Sequence, residues 1–418
     1  MRKVLVICYY WPPASGPGVQ RFLKMTKYFK DLGWRPYILT SKNGTYPVMD
    51  PSLEKEVPDD LEVHRTVPKE LFWLYNKLLG KKGRGVSVGF IGMDQKNPLQ
   101  RLAMYVRANF FIPDARKGWN KTAIPKAIEL HEKENFDAII TTGPPHSSHL
   151  IGLELKKRTG VKWLVDLRDP WVNVYYNKVF PRTKKTKRKD LALETEVLTK
   201  ADAVSVVSPG QKKEFEDRSK KIAVVYNGYE ESDMKVSGQR TDTNFVISYI
   251  GSFLPSQNVK LFWEALSEVC NEDEEFRSKL QIQLTGNIHP AIIESIEQNK
   301  LKEHLNLSGF VSHEEAVRRM KDSDLLLFVI PDTEDNEYIL PGKLFEYLAS
   351  ETPLVSIGPV NGDAAMILDE CGRKPMMDHS DKASMKESIL MRDANGVNPK
   401  YKAFTRKEQA KKLLSLLD

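Results

Sequence analysis

A strand, a glycine turn and the start of a helix come together in the second half of the chain. The apolar run Leu325–Ile330 predicts a buried strand, and Pro341-Gly342-Lys343 leads into a helical segment. The start of a helix presents free backbone N–H groups and a positive dipole end, which attract anions. Lys343 would add a full charge, and Glu346 lies among apolar residues of the same helix. The pattern predicts an anion-binding turn, although an ordinary strand–helix unit with a partly exposed glutamate fits it too.

A second polar segment, Asp166–Trp171, follows a predicted strand in the first half of the chain. Its two carboxylates flank Arg168. One interpretation is a structural ion pair between an aspartate and the arginine, which would fix the loop. The other is a polar patch that holds a hydroxylated acceptor, with Asp166 or Asp169 placed to handle its proton. His146, just after Gly143-Pro144-Pro145, is a further candidate, although such a histidine is more often a helix cap or a surface residue.

Length and composition indicate a two-domain soluble protein. The chain has 418 residues, 41% of them hydrophobic and 28% charged. Its three cysteines, Cys8, Cys270 and Cys371, are widely spaced, which predicts neither disulfides nor a metal cluster and fits a reducing compartment. The N-terminal apolar run predicts a first strand rather than a signal peptide. No apolar stretch has the length of a spanning helix, so any membrane contact should be peripheral.

Short apolar runs alternate with helix-period segments along both halves. Strands separated by helices imply parallel sheets with right-handed crossovers. The predicted fold class is α/β, with two doubly wound Rossmann-like domains facing a central cleft and ligands at the carboxyl ends of the strands. The predicted strands are Val4–Cys8, Arg35–Leu39, Leu61–Thr66, Phe136–Thr141, Lys162–Val165, Ala203–Val207, Phe245–Ile250, Leu280–Leu284, Asn306–Ser308, Leu325–Ile330 and Pro353–Ser356.

The polar stretch Ser232–Thr243 is the best candidate for a linker. We therefore expect domains over residues 1–235 and 243–400, followed by a C-terminal segment, 401–418, with a helix from Arg406 to Leu417. No third glycine follows Gly16 and Gly18 at the spacing of the dinucleotide fingerprint, which disfavours a Rossmann dehydrogenase. The sequence contains no P-loop and no HExxH or paired CxxC motif, which disfavours a P-loop ATPase and a zinc site.

Two segments combine basic and aromatic residues. Arg182–Lys189 carries six bases without an acid and follows the aromatic segment Val174–Phe180. Leu71–Lys82 is apolar and aromatic with bases at its end, as interfacial helices often are. A solvated face explains the first segment, and a core helix with dipole-compatible lysines explains the second nearly as well. The segments predict peripheral contact with an anionic membrane, whereas the lack of an aromatic stacking platform disfavours nucleic acid.

The order of these segments resembles the GT-B glycosyltransferases, specifically the retaining group called glycosyltransferase family 4. The resemblance covers essentially the whole chain. It begins with Pro12-Pro13 and Gly16-Pro17-Gly18, continues with Tyr226-Asn227-Gly228-Tyr229, and ends with Gly342–Ala349 and Thr352–Val355. The segments GPPHSSH and DLRDPW are most similar to members in bacterial surface-polysaccharide or lipid-linked glycan pathways.

The resemblance also implies roles for individual residues. The second of the family's two spaced glutamates, which hydrogen-bonds the nucleotide ribose, matches Glu346, whereas the first, which touches the donor sugar, falls on Tyr338. The arginine and lysine that neutralise the diphosphate correspond to Ser252 and Gln257. Because that pair is missing, we expect Lys343 and the helix start to take more of the diphosphate charge.

The expected site thus divides into a donor side in the C-terminal domain and an acceptor side in the N-terminal domain. The expected catalytic residues are Asp169, His146 and Lys343. The expected donor-binding residues are Gly251, Ser252, Gln257, Gly286, Tyr338, Leu340, Pro341, Gly342, Lys343 and Glu346. The expected acceptor-side or phosphate-loop residues are Gly16, Pro17, Gly18, Asp166 and Arg168.

The function that the resemblance implies is transfer of a sugar from a nucleotide-diphosphate sugar to a glycan or lipid-linked acceptor, with retention of anomeric configuration. It implies no metal, no cofactor and no covalent intermediate. The expected location is the cytoplasm, with the inner face of the cytoplasmic membrane as an option, and the last helix should pack on the N-terminal domain. Two alternatives remain open: a sugar-nucleotide epimerase of the same fold, and a catalytically eroded binding protein.

Overall fold

A computed structural model describes residues 1–46, 48–69, 98–174, 177, 180–391 and 398–418. It divides into two compact units. The first contains Met1–Tyr226 and Lys407–Asp418, and the second contains Asn227–Arg406. The chain enters and leaves the second unit side by side, because Tyr229 N donates to Phe404 O and Arg406 N donates to Tyr229 O, at 3.1 and 2.9 Å. The polar stretch Ser232–Thr243, expected to be a linker, therefore lies within the second unit.

The first unit is built on a seven-stranded parallel sheet with the strand order β3-β2-β1-β4-β5-β6-β7. Apolar residues of the central strands are buried on both faces, since helices cover both sides of the sheet. The strands are β1 (Arg2–Ile7), β2 (Trp34–Ser41), β3 (Glu62–Thr66), β4 (Ala138–Gly143), β5 (Lys162–Leu167), β6 (Ala203–Val206) and β7 (Ile222–Val224).

The C-terminal helix belongs to the first unit. Its apolar residues Ala410, Leu413 and Leu414 are buried in the same core cluster as Val4 and Val6 of β1. Seven helices of the first unit lie among the described residues: α1 (Pro17–Met25), α2 (Pro98–Phe110), α3 (Asn120–Glu134), α4 (Ser147–Thr159), α5 (Lys184–Lys200), α6 (Pro209–Phe215) and, at the end of the chain, α14 (Arg406–Ser415).

The second unit is built on a five-stranded parallel sheet with the strand order β10-β9-β8-β11-β12. Its strands are β8 (Phe245–Ile250), β9 (Leu280–Thr285), β10 (Leu305–Ser308), β11 (Leu325–Val329) and β12 (Leu354–Ile357). The helices described here are α7 (Lys260–Glu272), α8 (Glu274–Lys279), α9 (Pro290–Gln298), α10 (His313–Lys321), α11 (Lys343–Ala349), α12 (Asp363–Glu370) and α13 (Lys382–Met391).

The predicted fold class of two parallel-sheet α/β units is confirmed. Each predicted strand overlaps an observed one, because a fully buried parallel strand must be apolar along its whole length. The prediction missed β7, which has only three residues, all of them half-buried at the edge of the sheet. The segment Leu71–Lys82 lies outside the described residues.

A buried ion pair lies at the carboxyl edge of the first sheet. Arg21 of α1 donates through Nη2 to Asp166 Oδ1 at 2.7 Å and through Nε to Oδ2 at 3.2 Å, and both side chains are fully buried. Thr142 and Ser205 each donate to the same carboxylate at 2.8 Å. Arg21 also donates to the carbonyl of Val225 at 2.9 Å. The pair therefore connects α1 to β4, β5 and β6.

We predict that Arg21→Met lowers the free energy of unfolding by about 3–5 kcal/mol, because it leaves the Asp166 carboxylate buried without its counter-charge. Urea unfolding followed by circular dichroism measures the change. Arg158→Met is the matched control: Arg158 is exposed and pairs with Glu154, so its loss should cost under about 0.5 kcal/mol. A loss of less than about 1 kcal/mol for Arg21→Met would contradict the assignment.

Candidate functional site

Lys343, the first residue of α11, is held against Tyr249 of β8. Its Nζ donates a hydrogen bond to Tyr249 Oη at 2.7 Å and lies 3.9 Å from the centre of the tyrosine ring. Tyr249 Oη in turn donates to the carbonyl of Ser252 at 2.7 Å. The ammonium group is thus positioned at the carboxyl end of β8 by a neutral partner.

The surroundings of Lys343 also change its acidity. Burial lowers its pKa to about 7, and the negative charge of Glu346 opposes this shift. The ring face of Tyr249 favours the charged form as well, but desolvation outweighs both effects. Lys343 can therefore gain a proton near neutral pH when an anion binds beside it.

Two glycines bring the backbone close to this lysine. Gly251 follows β8 with φ 121°, and Gly286 follows β9 with φ 113°, a region that residues with a side chain rarely adopt. A Cβ on Gly251 would lie 3.2 Å from Lys343 Nζ, and a Cβ on Gly286 would lie 2.4 Å from the carbonyl oxygen of Gly251. Gly251, Gly286 and Lys343, all expected to bind the donor, are therefore neighbours at one edge of the second sheet.

Glu346 has a neighbour that sequence reasoning missed. His313, the first residue of α10, places Nε2 3.9 Å from Glu346 Oε1 and 3.0 Å from Asp233 Oδ2. The hydrogen bond to Asp233 and the charge of Glu346 raise the pKa of His313. The imidazole can therefore hold a positive charge that orients Glu346. No motif marks His313, and only the packing of α10 reveals it.

Other residues expected on the donor side differ in what they contact. Gln257 is buried in the fold: its amide oxygen accepts from Leu254 N at 3.0 Å, and its amide nitrogen donates to Val329 O at 3.1 Å. This corrects the expectation of a side chain available to the donor. Ser252 and Tyr338 are exposed. Leu340 and Pro341 are half-buried in the turn before Gly342 and α11.

In the first unit, Arg168 lies against the turn that begins α1. A Cβ on Gly18 would lie 1.7 Å from Arg168 Nη1, so only glycine leaves room for the guanidinium. Arg168 also donates to Thr142 Oγ1 at 3.2 Å and to the carbonyl of Pro144. The Gly16-Pro17-Gly18 turn and the loop after β5 therefore meet, as their shared position at the carboxyl edge predicts.

The two aspartates of the loop after β5 are not equivalent. Asp166 is fully buried in its pair with Arg21, so the alternative of a structural ion pair is correct, but the partner is Arg21 and not Arg168. The structure therefore does not place Asp166 where it could take a proton from an acceptor. Asp169, in contrast, is exposed.

His146 and His149 are both buried rather than on the surface. The ring of His146 stacks on Trp171, with centroids 5.0 Å apart, and His149 Nδ1 lies 2.9 Å from Thr141 Oγ1. Burial lowers the pKa of His146 well below its usual range and that of His149 to about 3. Both rings are therefore neutral at pH 7.

Glu194 of α5 was expected on the surface, and this expectation is wrong. Its carboxylate is buried and accepts hydrogen bonds from Arg218 Nη1 at 2.7 Å and from Val172 N at 2.9 Å. The neighbouring Trp171 donates to Asp190 of the same helix at 2.9 Å. The helix α5 thus fixes the loop that carries Asp169.

Comparison with known proteins gives two domain matches. The family described as "Glycosyl transferase 4-like domain" matches residues 17–228, and that described as "Glycosyl transferases group 1" matches residues 244–391. No curated protein matches the sequence.

Solved structures of several proteins share the fold. A glycosyltransferase from Rickettsia africae is 15% identical with a TM-score of 0.60, covering 100% of this chain and 97% of that one. S. aureus TarM, in complex with UDP and glycan ligands, is 13% identical with a TM-score of 0.53, covering 99% and 96%. A UDP-N-acetylglucosamine 2-epimerase from Listeria monocytogenes, described as putative, is 12% identical with a TM-score of 0.55, covering 99% and 95%.

Structural similarity at such low identity shows the fold alone, whereas the domain matches cover most of the sequence. The chain therefore belongs to the glycosyltransferases with a glycosyl transferase 4-like domain followed by a group 1 domain, and it has the GT-B fold.

Proposed function

We propose that this glycosyltransferase moves a sugar from a nucleotide-diphosphate donor to a glycan or lipid-linked acceptor, with retention of configuration and without a metal. The observation that carries the proposal is the position of Lys343 beside Gly251, at the carboxyl edge of the second sheet. A cation with a pKa near 7, next to closely approaching backbone, suits a diphosphate that gains charge as it leaves.

The donor-side roles follow from the contacts. Lys343 stabilises the leaving diphosphate, and the glycines at positions 251 and 286 let the phosphates approach the backbone. Glu346 accepts hydrogen bonds from the ribose hydroxyls of the nucleotide. His313 is a positioning residue, because it acts through Glu346 and not on the donor itself.

The acceptor side lies in the first unit. Asp169 is the exposed carboxylate of the loop after β5, and we assign it to the acceptor hydroxyl. His146 is neutral and buried, so it can hydrogen-bond a sugar hydroxyl but carries no charge at pH 7. Arg168, packed on Gly18, contributes a fixed positive charge at the same edge. Departure and attack on one face of the sugar need no protein nucleophile, and the expected compartment is the cytoplasm.

Incubation of the protein with nucleotide sugars tests the proposal directly. With an acceptor mixture, we expect a glycosylated product whose anomeric configuration, read by NMR, matches that of the donor. With the donor alone, formation of an isomer would identify an epimerase instead. A protein that binds nucleotide diphosphates but neither transfers nor hydrolyses the sugar would be an eroded binding protein.

We predict that Lys343→Ala weakens binding of nucleoside diphosphates by roughly tenfold to a hundredfold, the usual worth of a charged hydrogen bond. Titration calorimetry measures the affinity. The nucleoside without phosphates should bind both proteins equally, and Lys260→Ala, at an exposed lysine that begins α7, should bind like the wild type. Unchanged affinity in Lys343→Ala would contradict the assignment.

Binding should also depend on pH through Lys343. Its pKa in the folded protein, about 7, is below the ordinary lysine value of 10.5, so the free protein loses this charge as the pH rises above 7. We therefore expect diphosphate affinity to fall by roughly tenfold between pH 7 and pH 9. In Lys343→Arg the charge persists at both pH values. A wild-type profile as flat as that of Lys343→Arg would show that Lys343 does not contact the diphosphate.

The role of His313 is separable from that of the phosphates. We predict that His313→Ala weakens binding of a ribonucleoside diphosphate by about fivefold, because Glu346 loses its charged neighbour. A 2′,3′-dideoxy analogue, which offers Glu346 no hydroxyl, should bind wild type and variant equally well. Equal losses for both nucleotides would assign His313 a merely structural role.

A further inference from the structure

Helix α2 of the first unit exposes an apolar stripe. Leu102 is 60% exposed, Tyr105 43%, Val106 38% and Phe110 73%. Their spacing of three, four and eight residues from Leu102 places them on one side of the helix. The opposite side carries Ala108, which is buried. The helix therefore packs on the unit with one side and presents large apolar side chains to the surroundings with the other.

The start of helix α5 presents a cluster of bases without acids. These bases are exposed, and among the described residues none of them forms an ion pair: Lys184, Lys185, Lys187, Arg188 and Lys189. The positive end of the helix dipole disfavours cations there, so helix stability does not account for them. Arg182, the first base of the run, is separate, because it forms a buried ion pair with Asp190.

The apolar stripe and the bases belong to one surface. The Asn109 side chain of α2 accepts hydrogen bonds from Thr183 N at 2.8 Å and from Thr186 Oγ1 at 2.7 Å, at the very start of α5. It also donates to the carbonyl of Pro181 at 2.9 Å. Lys117, also exposed, extends the cluster, since the charge of Lys189 contributes to lowering its pKa. We call this the basic–apolar surface.

We propose that the basic–apolar surface binds the face of a membrane that contains anionic lipids. Unpaired bases attract anionic headgroups, and Tyr105 and Phe110 can enter the boundary between headgroups and acyl chains. No helix among the described residues is both long and apolar enough to cross a bilayer, so the contact lies in the plane of the membrane. This binding is independent of the proposed sugar transfer and would be measured without a donor.

The observations favour a lipid surface over other partners. Large apolar side chains and unpaired cations together match the layered chemistry of a bilayer boundary, in which acyl chains lie next to phosphates. Nucleic acid would leave the apolar stripe unsatisfied, because backbone phosphates bind the bases alone. A second copy of the chain would bring bases against bases, since the surface carries one sign of charge.

Sedimentation with vesicles tests the proposal on the full chain. Neutral phosphatidylcholine vesicles are compared with vesicles that contain phosphatidylglycerol, at low and high salt. We expect binding to the anionic vesicles at low salt, and a loss of most of it at high salt. Lys184→Ala/Lys185→Ala/Arg188→Ala should weaken it by roughly a hundredfold, at about fivefold for each base. The matched control, Lys407→Ala/Lys411→Ala/Lys412→Ala on the exposed side of α14, should bind like the wild type.

The apolar part has its own test. Leu102→Ala/Phe110→Ala should weaken vesicle binding by roughly tenfold or more while the midpoint of thermal unfolding stays unchanged, because both side chains are exposed. Equal binding to neutral vesicles, or an equal loss in the α14 control, would overturn the proposal. So would a dimer in sedimentation velocity that Phe110→Ala dissociates, or duplex DNA bound as tightly as the anionic vesicles.

Discussion

The architecture of the first unit depends on the buried ion pair between Arg21 and Asp166. A charge taken out of water is tolerated only when every partner is in place. Here the partners come from a helix and from three neighbouring strands, including the hydroxyls of Thr142 and Ser205. The pair holds the carboxyl edge of the sheet in one arrangement. The side chains with chemistry depend on that arrangement, since Arg168 lies two residues beyond Asp166 and packs on Gly18.

The second unit achieves the same precision without an ion pair. Its anion site relies on two glycines that admit close backbone approach and on a tyrosine that positions a lysine. A neutral hydroxyl leaves the positive charge of Lys343 uncompensated at close range, which a carboxylate partner would not. The cost is a depressed pKa, and that cost makes the site responsive to the charge of a ligand. The two units thus combine a rigid arginine-containing edge with a titratable lysine-containing one.

Local patterns were sufficient for the elements and for part of the site. Apolar runs such as Leu325–Val329 predict buried parallel strands because both faces of each strand are covered. The glycines at positions 18, 251 and 286 were identified because a glycine after a strand usually serves a close approach. Sequence reasoning failed where a contact joins distant segments. His313 and Glu346 belong to different helices, and nothing in their local sequences relates them.

The sequence by itself determined the two α/β units, the carboxyl-edge position of the polar loops and the membership of the glycosyltransferases, because these depend on short-range periodicity and on contiguous motifs. The tertiary structure decided which charges are paired. Asp166 binds Arg21, far away in the chain, rather than its neighbour Arg168. Gln257 is engaged in internal hydrogen bonds, and the bases of α5 lie beside an exposed apolar stripe of α2. Burial and pairing are properties of the assembled surface, so residues of similar type acquire different roles once packing sets their distance from water and from each other.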